Sequence, residues 1–346
     1  MGVKAATQMW SVLCFFALFF LSCERPLRLP HIPPELHNWP KQYRGVKGLK
    51  LHVFTTGSLE VPRALLVRGG SWLHRHQLDI LAFLIEHPRQ GFVLFNTGLS
   101  REIAKNPERY IGPLLVALTR PEMADRQDIF SQIEKAGLST EKVRRIVVSD
   151  LRFDHTGELE RFPAAEVVVT QIEYDAAQEQ RSGVLYREGE YDHVRSWKFI
   201  DYALDQPIGT FTSHTDLFGD GSLILIDAAG ATPGNQALLV RLPSQPVLLC
   251  GSLALIKENY LYAGMPRLLF DREAWWEKIW RLKKFKDLVP ELLIFPDHDL
   301  KAVKSVTAKD IIVHPFVEEE KDKKRKPREN RQRSSPELPP SLPRPQ

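Results

Sequence analysis

The sequence predicts a mixed α/β fold, and three observations lead to this prediction. Short apolar runs that close on Gly, Asn or Asp recur through the middle of the chain, as expected of buried strands. Two longer segments, residues 125–136 and 271–284, repeat their apolar side chains with helical spacing. With 346 residues, 43% hydrophobic and 26% charged, the chain is long enough to bury one sizeable core.

Strands are expected at the apolar and β-branched runs, which are residues 49–55, 81–86, 92–95, 145–149, 162–170, 223–227, 237–242, 247–250 and 292–295. In the first helix Ile129 and Ile133 share a face, Asp125 is a candidate N-cap, and Gly137 ends the helix. In the second helix Trp275 belongs to an apolar face that indicates core packing rather than a ligand stack.

Residues 1–23 have the pattern of a leader rather than of a folded segment. The apolar stretch from Trp10 to Ser22 is shorter than the ~20 residues of a membrane span and suits a signal-peptide core. It ends Ser-Cys, similar to a relaxed bacterial lipobox, so we expect lipidation at Cys23. The protein is then exported and membrane-associated, as a bacterial lipoprotein or a periplasmic protein. The alternatives are an ordinary signal peptide and a single N-terminal membrane anchor.

Two further segments flank the folded domain, which is expected at residues 49–316. Residues 24–48 are rich in proline and are interpreted as an extended tether. Residues 317–346 are expected to form a disordered, basic, Pro-rich tail. From Lys321 onward nine Lys or Arg face three Asp or Glu, a net +6, so the remaining chain carries −2 of the total +4. The globular domain is therefore not expected to bind nucleic acid.

The most informative stretch lies at the end of the strand at 145–149. Asp150, Arg152 and Asp154 alternate there, so their side chains can converge on one point beyond the strand, with His155 next to them. Acids, a guanidinium and an imidazole beyond a buried strand are typical of a metal or polar site. The alternative is a solvated loop with a surface salt bridge.

Residues 149–157, which read Ser-Asp-Leu-Arg-Phe-Asp-His-Thr-Gly, resemble the His-x-His-x-Asp-His motif of the metallo-β-lactamase superfamily. The N-acyl homoserine lactonase branch, with Thr-His-Leu-His-Phe-Asp-His-Ala-Gly, is the most similar. Further landmarks follow in the family order, including Gly-Ala-Thr-Pro-Gly-Asn at residues 230–235 and Gly-Ser at 251–252. The resemblance covers about residues 49–316 and implies the family fold, a four-layered αβ/βα sandwich.

The family holds two zinc ions, and the resemblance implies which of this chain's residues stand at the ligand positions. The first-metal positions and the metal-bridging position are substituted, with Asp150, Arg152, Ala231 and Ser252 in place of the family's ligands. Three second-metal ligands persist as Asp154, His155 and His298. The family aspartate that supports a ligating histidine is replaced by Asn96. Since arginine has no acceptor atom, it cannot ligate a metal.

We hypothesise that the Arg152 guanidinium replaces the first metal, with Asp150 and Asp154 as its counterions. The sequence then favours a non-catalytic binding protein on a hydrolase scaffold, with no cofactor and an unidentified small molecule in the former active-site pocket. The alternative is a hydrolase of lactones or esters that uses one zinc at the second-metal positions, where Asp154 would be the catalytic candidate. Membrane contact is expected through the N-terminal leader.

Overall fold

The computed structural model of the chain describes residues 26–179, 185–202, 206–306 and 308–316. The predicted leader with the proposed lipidation site Cys23, and the predicted tail at 317–346, lie outside the described residues. Within the described ranges, no helix combines the length and apolar character that a membrane span requires.

The larger of two sheets contains eight strands. These are β1 Lys50–Pro62, β2 Arg75–His87, β3 Gly91–Phe95, β4 Pro121–Glu122, β5 Val143–Val147, β6 Glu166–Thr170, β7 Trp197–Ile200 and β13 Ile311–Val313. Their order is β13-β1-β2-β3-β5-β6-β7, with β4 paired to β1. The β1-β2-β3 pairings are antiparallel, whereas β3, β5, β6 and β7 run parallel.

The smaller sheet has the order β12-β11-β10-β9-β8. Its strands are β8 His214–Asp216, β9 Leu223–Asp227, β10 Gln236–Arg241, β11 Pro246–Leu249 and β12 Leu293–Phe295. The β8 to β11 pairings are antiparallel, and β12 joins β11 in parallel. The carboxyl ends of β11 and β12 therefore lie side by side.

The helices are α1 Arg63–Leu66, α2 Arg101–Lys105, α3 Pro107–Ile111, α4 Pro113–Thr119, α5 Ile129–Lys135, α6 Gln171–Glu179, α7 Lys257–Leu261, α8 Arg272–Leu288 and α9 Leu300–Lys304. Asp271 is the N-cap of α8 and accepts from two backbone N–H groups of its first turn. Asp128, not Asp125, caps α5, because the helix begins three residues later than a cap at Asp125 would place it.

Apolar faces stack these elements into four layers. Leu51, Phe83 and Phe95 of the larger sheet share one buried cluster with Leu238 and Leu249 of the smaller sheet. Helix α5 covers the outer face of the larger sheet, and α8 covers the outer face of the smaller one. The predicted αβ/βα sandwich is confirmed, since each sheet buries its two faces against a sheet and a helix.

The segment before β1 differs from the expected free tether. Residues 26–48 contain no helix or extended strand, as their prolines predict, but they lie along the domain. The Trp39 ring contacts Phe285 edge-on at 4.9 Å between centroids, and the Arg28 carbonyl accepts from the Trp276 indole at 2.9 Å. Apolar side chains such as Leu27 and Trp39 pack on the core, and this burial favours docking over extension.

Candidate active site

Polar residues gather where strands of the two sheets end. Asn96 follows β3, Asp150 lies three residues after β5, and Ser252 lies in the turn after β11. Asp297 and His298 follow β12. Since parallel strands present their carboxyl ends at the same edge, this edge of the sandwich holds one cluster, the usual place for a site in an open α/β sheet.

Arg152 bridges the two sheets at this edge. Its Nε donates to Asp150 Oδ1 at 3.0 Å, and its Nη2 donates to Ser252 Oγ. The Ser252 hydroxyl in turn donates to Asp150 Oδ2 at 2.6 Å. Asp150 is fully buried and 13% of the Arg152 side chain is exposed, so the solvated-loop alternative is wrong. Three of the substituted ligand positions thus form a closed hydrogen-bonded group.

His155 is held between two carboxylates. Its Nδ1 lies 2.7 Å from Asp150 Oδ1, and its Nε2 lies 2.7 Å from Asp297 Oδ2. Burial by itself lowers the pKa of His155, but the three carboxylates of Asp150, Asp297 and Asp154 raise it well above the usual range. The geometry therefore supports an imidazolium that donates from both ring nitrogens.

Asp154 faces His298 rather than Arg152. Its Oδ2 lies 3.3 Å from His298 Nε2, and no ion pair joins it to Arg152 among the described residues. Of the two counterions in the sequence hypothesis, Asp150 forms the direct ion pair with Arg152, whereas Asp154 acts on the guanidinium only through its charge at longer range. The physical reason is a turn: the His155 N–H donates to the Arg152 carbonyl at 2.9 Å, which ends the strand-like alternation before Asp154.

The charges in the cluster stabilise one another. Burial by itself raises the pKa of Asp150, but the Arg152 guanidinium and His155 hold it well below its usual range. Burial also opposes the charge on Arg152, yet Asp150 and then Asp154 raise the pKa of this guanidinium. Burial raises the pKa of Asp154, but His155, His298 and the charge of Arg152 outweigh it and keep this pKa depressed.

The two remaining predicted positions lie at the rim and beneath the cluster. Ala231 lies in the β9–β10 connection, packed at the edge of the outer apolar cluster, and brings no polar side chain. Asn96 is fully buried with a left-handed φ of 58°, and its Nδ2 donates to Ser149 Oγ at 3.1 Å and to Asp297 Oδ1 at 3.4 Å. Asn96 therefore supports Asp297 as a neutral donor.

The residues fit zinc at one of the two family positions. The first position offers a guanidinium, a methyl group, a serine hydroxyl and the Asp150 carboxylate, both of whose oxygens already contact Arg152, His155 or Ser252. This donor set does not fit a metal. At the second, Asp154, His155 and His298 bring one ligand atom each within 4.8 Å of one another. Nδ1 of His298 is buried with no hydrogen-bond partner among the described residues, and its Nε2 faces Asp154 Oδ2 and Asp297 Oδ2 at 3.3 Å each, so the imidazole is oriented toward the carboxylates of this position.

Asp297 was not identified from the sequence, although it directly precedes His298. Its Oδ2 lies 2.7 Å from His155 Nε2 and 3.3 Å from His298 Nε2, so this oxygen lies between the two imidazoles. A carboxylate next to a matched ligand position was the available signal. Zinc at this position must displace Asp297 from His155 or take Asp297 as a further ligand.

The fold and these landmarks define a family. The metallo-β-lactamase superfamily profile matches residues 77–298, and the chain belongs to this superfamily. Curated relatives include the N-acyl homoserine lactonase AttM of Azorhizobium caulinodans, 28% identical over 64% of this chain and 82% of the relative. The AttM lactonase of Rhizobium radiobacter is 31% identical over 56% of this chain and 72% of the relative. The chain therefore lies in the lactonase-like branch.

Solved structures agree on the fold. An N-acyl homoserine lactone hydrolase with N-hexanoyl-L-homoserine bound at its catalytic metal centre superposes with a TM-score of 0.64. The match is 23% identical and covers 75% of this chain and 97% of the hydrolase. A quorum-quenching lactonase described as a dizinc enzyme gives a TM-score of 0.52 at 16% identity, over 74% of this chain and 90% of that lactonase. These likenesses establish a shared architecture.

Proposed function

We propose that this chain is a non-catalytic binding protein built on the lactonase scaffold. The observation that carries the proposal is the closed group of Arg152, Asp150 and Ser252 at the first-metal position. Catalysis by two bridged metals needs ligands on both sides of a shared hydroxide, and here one side is a permanent cation. The former pocket then binds a small molecule without turning it over.

A second candidate, a hydrolase of lactones or esters with one zinc, is favoured by a separate observation. Asp154, His155 and His298 bring one ligand atom each within 4.8 Å of one another, and these three side chains could hold the ion together. Bound zinc would supply a Lewis acid and a water of lowered pKa. Against it, the His155 imidazolium has no free lone pair while Asp150 and Asp297 both accept from it.

Zinc stoichiometry of the full-length protein separates the two candidates. The protein is purified without chelator, offered zinc, desalted and measured by elemental analysis beside a His298→Ala variant. Less than about a tenth of a zinc per chain is the result expected for the binding protein, since a structural zinc site with adequate ligands retains metal through desalting. Near one zinc per chain, lost in His298→Ala, would overturn the proposal and lead to a screen of lactones and esters with and without chelator.

We further propose that the protein is exported and held at a membrane by its N-terminal leader, with lipidation at Cys23. The apolar stretch from Trp10 to Ser22 followed by Cys supports this. Membrane fractionation of cells that express the full chain or Cys23→Ala tests it. Release of the variant into the soluble fraction is expected, and equal distribution of both proteins would refute the lipidated form.

A further inference from the structure

We infer that an exposed apolar surface beside the candidate active site docks on a phospholipid bilayer. We call it the apolar patch and define it by its large exposed side chains, which are Trp72, Leu73, Leu261, Tyr262, Leu268 and Phe270. Leu73 is 94% exposed, Tyr262 78% and Phe270 65%. Exposed surfaces of this kind on a soluble domain mark an interaction site.

Backbone contacts join the two segments that carry the patch. One segment is the β1–β2 connection with Trp72 and Leu73, and the other is the loop from α7 to α8. Arg267 N donates to the Leu65 carbonyl at 3.0 Å, and Arg68 N donates to the Met265 carbonyl at 2.7 Å. The guanidinium carbon of Arg267 lies 5.3 Å from the centroid of the Trp72 ring. The two segments that carry the patch therefore lie side by side, with Trp72 of one next to Arg267 of the other.

The residue types of the patch suit the water–lipid boundary. Trp and Tyr prefer this boundary because their rings contact the acyl chains while their polar N–H or O–H group faces water and headgroups. Leucine and phenylalanine have no polar group and insert into the acyl region. Arg267 is exposed within the patch, and Lys257 is exposed at the start of α7. Cations at such a surface are attracted to anionic lipid headgroups. A protein partner would also accept apolar side chains, but the position of the chain's N-terminal part favours a membrane.

The described chain begins close to the patch. Pro26 and Trp276 line the same surface cavity on α8, and Trp276 donates to the Arg28 carbonyl. Helix α8 starts at Arg272, two residues after Phe270 of the patch. The apolar stretch from Trp10 to Ser22 precedes Pro26 by only a few residues. A leader held in a membrane would therefore bring this side of the domain to the lipid.

The patch also borders the candidate active site. The Phe270 N–H donates to the Ala231 carbonyl at 3.2 Å, and Ala231 stands at one of the substituted ligand positions. Docking would place the rim of the former pocket at the lipid surface, where a lipophilic ligand partitions. This step rests on the proposed binding function, whereas the docking itself does not depend on whether zinc is held.

Vesicle cosedimentation of full-length variants tests the docking. Every variant carries Phe15→Asp and Leu18→Asp, so that the leader no longer supplies the binding. Vesicles contain equal parts of phosphatidylglycerol and phosphatidylcholine, and a second set contains phosphatidylcholine alone. Leu73→Glu/Phe270→Glu removes two insertion points. The matched control, Ile172→Glu/Phe199→Glu, makes the same charge change at side chains that are 62% and 41% exposed. Ile172 lies on α6, and Phe199 lies on β7, the strand that ends the larger sheet opposite β13.

We expect the patch variant to lower the vesicle partition coefficient at least tenfold and the control to change it less than twofold. Arg267→Ala should weaken binding to the mixed vesicles more than to phosphatidylcholine alone. Thermal unfolding checks the fold of each variant, and Tyr262→Glu serves if the double variant fails to fold. Equal effects of patch and control substitutions, or no binding by the parent, would overturn the inference. A parent dimer that the patch variant dissociates would instead assign the surface to a second copy of the chain.

Discussion

Replacing Arg152 by alanine is the most direct test of how the candidate active site is stabilised. The substitution removes the Nε contact to Asp150 Oδ1 at 3.0 Å and the Nη2 contact to Ser252. It leaves the Asp150 carboxylate, which is fully buried, without its guanidinium partner. An uncompensated buried carboxylate has lost the charge interaction that offset its desolvation.

The expected magnitude follows from the contacts that remain. Breaking a buried ion pair by removing one partner costs roughly 3–5 kcal/mol of unfolding free energy. Here Asp150 keeps His155 at 2.7 Å and Ser252 at 2.6 Å, which hold part of its charge. We therefore expect Arg152→Ala to lower the free energy of unfolding by about 2–4 kcal/mol, below the upper limit for an isolated pair.

Urea denaturation followed by circular dichroism measures this loss. The matched control is Arg89→Ala, whose Nη2 lies 2.8 Å from Asp220 with 69% of its side chain exposed. An exposed pair of the same chemistry is expected to contribute about 0–1 kcal/mol. If Arg152→Ala costs less than about 0.5 kcal/mol, or no more than the control, the role of Arg152 as the cation that replaces a metal would be refuted.

Three further predictions concern residues that surround the charged cluster of the candidate active site. Gly157→Ala should cost at least about 2 kcal/mol of unfolding free energy in a urea titration, because its Cβ would lie 2.0 Å from the Ser100 backbone nitrogen. Gly189→Ala, which meets no described atom within 4 Å, is the control and should change this free energy by no more than about 0.5 kcal/mol. Equal costs of the two substitutions would contradict the close approach at Gly157. Burial raises the pKa of Glu190 to about 8, so between about pH 4.3 and pH 8 the folded state holds a proton that the unfolded chain has released. The free energy of unfolding therefore falls as the pH rises through this range. Glu190→Gln should therefore gain at least about 1 kcal/mol relative to wild type between about pH 5 and pH 8, and a parallel pH profile would argue against it. Asn96→Asp replaces the amide donor that lies 3.4 Å from Asp297 Oδ1 with a carboxylate, so two like charges would face each other. The free energy of unfolding should fall by about 1–3 kcal/mol near pH 7 in the same urea titration, and by less at acidic pH. An unchanged urea midpoint would be inconsistent with this contact.

The sequence by itself determined which segments form strands or helices and to which superfamily the chain belongs. Apolar and helical periods located nine strands and the faces of α5 and α8, because burial on one face fixes the spacing of apolar residues. The short strands β4, β7, β8 and β13 were not predicted, since they contain few apolar residues or lie at a sheet edge. The order of the family motifs along the chain predicted that Asp150, Arg152 and Ser252 belong to one site, and the structure places these side chains in contact. Local signals sufficed wherever a residue's role depended on neighbours within one strand or helix.

The tertiary structure alone decided how the charges are paired. Asp297 contacts His155 across 142 positions of sequence, and no local pattern records such a contact. The turn that directs Asp154 toward His298 and away from Arg152 depends on how β5 and β12 end at the same edge of the sandwich. Pairing between residues far apart in the chain depends on distances and burial in three dimensions, and spacing along the sequence does not carry that information.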